Sequence, residues 1–155
     1  MEYLNVNQLT KEMVVARLSE LTDPVDAAVE ILEKTVIVAL KDVETLKQGH
    51  RQTVIGACEG TLTALLLKQM NLRVASVKIL HAMGRIAHRI HQDPTELSTL
   101  ALHGVADLYR FVSRGEIDAI RAAIDAEFMG AGDALRDLID VERGKDPDRT
   151  QPLNR

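Results

Sequence analysis

The chain has no tryptophan, two tyrosines, two phenylalanines and one cysteine, and each scarcity removes a class of answers. A lone thiol cannot close an internal disulfide, so packing alone must hold the fold. Cys58 ends the apolar run Thr53-Val-Ile-Gly-Ala-Cys58 and reads as a small core residue rather than a reactive thiol. With aromatics at 3% there are few rings on which nucleic-acid bases could stack. The core must come from Leu, Ile, Val, Ala and Met, a set that suits packed helices better than a β-sandwich. Long apolar runs are missing as well. The longest, 54–67, carries Glu59 and two glycines and falls short of the roughly 20 residues of a membrane span. The opening residues, Met1-Glu-Tyr-Leu-Asn5, lack the basic start and apolar stretch of a secretory signal. The expectation is a cytoplasmic protein in a reducing compartment, without a transmembrane segment. Peripheral association with lipid through an amphipathic helix stays open.

Strand patterning is nearly absent and helix punctuation is strong. The chain is 46% hydrophobic and 27% charged over 155 residues, enough for one domain with a true core. Asp23-Pro24 places an N-cap residue before a proline whose missing amide would have no partner there anyway. Asp93-Pro94 repeats the device, with Glu96 completing a capping-box pattern, and Ser113 with Glu116 forms another. These marks predict a short helix over 8–21, a second over 24–48 stopped by Gly49, and a last over 116–141. In the second, Val25, Val29, Leu32, Val36, Ala39, Val43 and Leu46 alternate steps of four and three, the spacing of a heptad seam. Ile117, Ile120, Ile124, Phe128, Ala131, Leu135 and Leu138 repeat it, with Gly130 and Gly132 as points of bending.

Between them the phase runs unbroken through Cys58, Leu62, Leu65, Gln69, Leu72, Ser76, Ile79, Met83, Ile86 and Ile90 without a proline. Two readings compete: one helix over 51–91, roughly 60 Å long, or two helices joined near Asn71. The unbroken phase favours the single rod. Gly56, Gly60 and Ala64 form a row of small residues that lets another helix approach closely. The fold class is therefore all-α, an antiparallel bundle of four to five long amphipathic helices. Residues 1–143 are read as one helical domain and 144–155 as a disordered tail.

Acid is missing from one segment altogether. Over 60–92 there is no Asp or Glu, while Lys68, Arg73, Lys78, Arg85 and Arg89 give +5. Over 116–142 eight acids oppose Arg121 and Arg136, a net of −6. The simplest account sets these two segments side by side. A hairpin near residue 92 would add Glu96 at the level of Arg89 and Asp107 at that of Lys78. The functional account is an anion site on the face of Lys78, Arg85, His88 and Arg89, for a phosphate-bearing ligand, an acidic protein or nucleic acid. The acidic total and the lack of a helix-turn-helix pattern weigh against nucleic acid.

Histidines offer a third reading. His81, His103 and Asp107 fall at matching levels of the hairpin and form a candidate metal set. His88 and His91 are a poorer pair, because cations interleave with them. The Glu-x-x-His signature of carboxylate-bridged metal bundles is missing. So are a Ser/His/Asp or Cys/His arrangement and a Gly-rich phosphate loop. No cofactor is expected. What remains is a non-enzymatic helical interaction or scaffolding module that binds a protein partner and self-associates as a homodimer. The alternatives are the anion binder and the metal-binding bundle.

Overall fold

A computed structural model describes residues 5–18 and 23–145. Among them are α1 (Val6–Leu18), α2 (Pro24–Leu40), α3 (Gln48–Leu67), α4 (Leu72–Ile90), α5 (Pro94–Ala106), a 3-10 turn (Asp107–Arg110), α6 (Arg114–Glu127) and α7 (Ala131–Lys145), and no strand. The fold is all-α, but seven helices stand where four or five were expected, because the two longest predicted helices each divide. No described helix is long and apolar enough to cross a membrane. Of the predicted tail, residues 144 and 145 finish α7, and 146–155 lie outside the described residues, as do 19–21 of the first predicted helix.

The caps work as the sequence implies. Asp23 accepts from the Asp26 amide at 3.2 Å, Asp93 from Thr95 at 2.9 Å and Ser113 from Glu116 at 3.0 Å. The boxes, however, are only half made. Glu96 and Glu116 reach across to Arg51 (3.1 Å) and Arg73 (3.7 Å) instead of back to their own helix starts.

Three predicted helices need correction. The second ends at Leu40, not 48, and Gly49 lies in the first turn of α3. Gln92 donates from Nε2 to the carbonyls of Val43 (2.7 Å) and Glu44 (3.3 Å). A side chain distant in sequence thus satisfies backbone that a longer helix would have satisfied internally.

The single rod over 51–91 is also overturned. Gln69 takes a left-handed φ of 58°. Its amide bonds Leu66 O and that of Met70 bonds Leu65 O at 2.9 Å, which closes α3 as a Schellman turn. Asn71 then caps α4 by accepting from the amides of Arg73 and Val74, both at 3.1 Å. The left-handed residue costs about 1–2 kcal/mol, offset by the bonds that close one helix and open the next. The phase survives the reversal because periodicity counts residues and is blind to direction. Leu62, Leu65, Leu72, Ile79, Met83 and Ile86 are all buried, and Gln69, the one exposed member of the series, is the hinge.

The last predicted helix breaks at Gly130, whose φ is 90°. Asp125 Oδ1, from α6, accepts from the amides of Gly130 and Gly132 at 3.1 Å each and so serves the start of α7.

Helices α3, α4 and α5 form the centre; α1 and α2 cover one side, α6 and α7 the other. One connected apolar core reaches every helix, with Val14, Leu32, Leu62, Ile79, Leu97, Ile120 and Leu135 fully buried in it. Cys58 is buried within it. The small-residue row does what its spacing implies, since α1 lies against Gly56 and Gly60.

Candidate functional site

The basic face of α4 lies between two acidic neighbours. Lys78 pairs with Asp26, and Arg85 meets Glu33 through Nη2 at 2.9 Å. Both acids belong to α2. His81 Nε2 lies 2.8 Å from Glu127 at the end of α6, and its ring leans on Phe128 at 4.8 Å. The expected pairing with the acidic last segment therefore holds for Arg73 and His81. It fails for Lys78 and Arg85, and Glu96 meets Arg51 rather than Arg89. The signal was available: Asp26 and Glu33 are seven residues apart, as are Lys78 and Arg85. Of the four anion-site candidates, two are thus neutralised. His88 and Arg89 are exposed and make no ion pair among the described residues.

The candidate metal set is divided. His81 lines the groove between α2 and α4, whereas His103 and Asp107 line a cleft between α3, α5 and α7. Among the described residues no group of three or more His, Cys, Asp or Glu is arranged to hold a metal ion.

That second cleft, of about 370 Å³, holds the most perturbed carboxyl among the described residues. Its position follows from a glycine. A Cβ on Gly104 would stand 2.8 Å from Cys58 Cβ, so only glycine lets α5 come this close to α3. The close approach sets Asp107 against Glu59. Burial first, and then the hydrogen bond and charge of Asp107, push the Glu59 carboxyl up to about 8, against the pull of Arg110. At neutral pH Glu59 thus keeps a proton and can donate it to Asp107. On the far wall Arg110 Nη2 reaches Glu142 at 3.4 Å, and Lys145 reaches the same carboxylate at 3.5 Å. Arg110 Nε is buried and makes no hydrogen bond. The guanidiniums of Arg110 and Arg143 lie 5.5 and 5.4 Å from the Tyr109 ring centre. Sequence reasoning passed over Glu59 as an interruption of an apolar run. An acid between the buried Cys58 and Gly60 was itself the signal, since burying a carboxyl shifts its chemistry.

A different surface lies at the α3–α4 turn. Leu66, Met70, Leu72 and Val112 line a shallow depression of about 400 Å³, edged by Gln69, Asn71, Arg73 and Glu116. Next to these lining residues in the chain stand Leu67 and Phe111, each 62% exposed, and Val74, 42% exposed. The other exposed large apolar side chains among the described residues lie on α1, α2, the α6–α7 turn and α7.

No family model, curated protein or solved structure matches this chain.

Proposed function

We propose that this protein is a non-enzymatic helical interaction module that self-associates through the apolar end at the α3–α4 turn. The observation that carries the reading is a depression lined by Leu66, Met70, Leu72 and Val112, with the exposed Leu67, Phe111 and Val74 next to its lining residues in the chain. Exposed large apolar side chains beside an apolar depression support an interaction site, since such side chains anchor interfaces. A second copy is the occupant that the rim favours. It carries both signs, Arg73 and Glu116, joined only loosely at 3.7 Å. Across a two-fold axis such a rim is self-complementary, with each arginine facing the other copy's glutamate.

The affinity follows from the anchors. Leu67 and Phe111 from two copies make four side chains, each contributing on the order of 1.5–3 kcal/mol when fully buried. Association costs at least about 4 kcal/mol in lost freedom. A weak dimer, with a Kd between about micromolar at the tightest and about millimolar, is expected. Sedimentation velocity over about 1 µM to 1 mM protein tests it. The native chain should show a concentration-dependent dimer, and Leu67→Asp with Phe111→Asp should abolish it with unchanged helical circular dichroism, because both side chains are exposed. A compact native monomer throughout that range overturns the proposal, as does a dimer that survives both substitutions.

A further inference from the structure

We propose that Arg110 is a proton-controlled clasp on α7: while Glu59 and Asp107 share a proton its guanidinium secures Glu142, and when that proton leaves it turns toward the two carboxylates and frees the last turn of α7. The cleft is built for this exchange. Every element around it contributes a titratable or charged side chain: Arg51 and Glu59 from α3, His103 from α5, Asp107 and Arg110 from the 3-10 turn, Glu142 and Lys145 from α7. With Glu59 protonated the inner charges balance, the carboxylates of Asp107 and Glu142 against Arg110 and Lys145. Release of the proton to solvent adds one uncompensated negative charge beside Asp107.

Of the described lysines and arginines that line the cleft, Arg110 is the one placed to answer it. Arg51 is engaged with Glu96 at 3.1 Å, and Lys145 already serves Glu142. Arg110 has the spare capacity, because its Nε is buried and unbonded while its contact with Glu142 is long, at 3.4 Å. A guanidinium offers five donors in a fixed fork and favours paired carboxylate oxygens. Glu142 would not be stranded when Arg110 turns, since Lys145 remains three residues away on the same helix. The anchors Leu135 and Ile139 lie further back along α7 and are buried, so the released part is the turn beyond them. The proton resides on Glu59 up to about 8, which places the exchange just above neutrality.

Tyr109 reports on it directly. Its ring touches both Arg110 and Arg143. The only other tyrosine is Tyr3 and there is no tryptophan, so in a Tyr3→Phe background all tyrosine fluorescence comes from Tyr109. Acrylamide quenching of that fluorescence should rise with pH between 6 and 9, with a midpoint near 8. Adding Glu59→Gln, which keeps a donor to Asp107 but cannot ionise, should hold quenching low and flat. Adding Glu142→Gln, which removes the clasp from the other end, should leave it high and flat. A pH-dependent rise that persists in Glu59→Gln would belong to another group, such as His103, and overturns the proposal. A flat profile in the Tyr3→Phe parent overturns it equally.

Discussion

Gly60 and Gly84 both lie inside helices, and the same substitution should act on them in opposite directions. Replacing a helix-interior glycine by alanine removes backbone freedom from the unfolded chain and is worth about 1 kcal/mol of stability at an accommodating site. At Gly84 a Cβ would meet nothing within 4 Å, so Gly84→Ala should collect that gain in full. At Gly60 the new methyl would stand 2.4 Å from the Asn7 carbonyl oxygen and 3.2 Å from the backbone of Asn7 and Lys11. Ordinary contact begins at 3.4 Å, so α1 would have to move outward by the difference, and it is backbone that must give. Forcing atoms into a packed interface costs about 1–3 kcal/mol. Displacing α1 also loosens Thr10 and Val14, both fully buried. After the propensity gain, Gly60→Ala should lose up to about 2 kcal/mol, setting the two variants roughly 1–3 kcal/mol apart. Urea unfolding followed by circular dichroism measures this, with equal m-values as the check that compactness is unchanged. If Gly60→Ala stabilises as much as Gly84→Ala, α1 does not rest on the glycine row and the packing argument fails.

The Glu59 proton has a thermodynamic consequence separate from the clasp. In the folded chain the carboxyl titrates at about 8 rather than 4.5, so between these values the folded state binds more protons than the unfolded, and stability falls as pH rises through that window. For a half-buried group reached by solvent the loss is about 1–2 kcal/mol. Glu59→Gln should match the native protein at pH 4 and exceed it by about that amount above pH 8, and a stability difference that ignores pH contradicts the reasoning. Burial drives the Cys58 thiol up to about 12, so a thiol-specific disulfide reagent at pH 8 should label it only as fast as the fold opens. Rapid labelling of the native protein would show that Cys58 is not sealed in the core.

The readable parts of this protein are those decided within a few residues. Asp23-Pro24, Asp93-Pro94 and Ser113 start helices because cap bonds span three residues or fewer, and each cap is made. The apolar phase named the buried face because helical period depends on spacing alone, which is why Leu62, Ile79, Met83 and Ile86 were identified as core even under a wrong helix boundary. Spacing likewise exposed the Gly56 and Gly60 row, which α1 fills. Composition favoured packed helices over a β-sandwich, the lone cysteine ruled out an internal disulfide, and the longest apolar run fell short of a membrane span.

What the chain does with those faces was decided by tertiary structure. The reversal at Gln69 leaves no mark in the hydrophobic phase, since a turn that fills one seam position with an exposed polar residue keeps the count. The end of α2 at Leu40 depends on Gln92, and the opening of α7 on Asp125, partners that no local pattern points to. The basic face of α4 was visible, but which acids neutralise it depends on α2 packing beside it, a choice among several acidic helices. The proton on Glu59 depends on two contacts together, burial beside Cys58 and the approach of Asp107 that Gly104 permits. Local bonds are selected by neighbours along the chain and can be read from it. A carboxyl's proton and a cation's partner are selected by whichever helix arrives across the core.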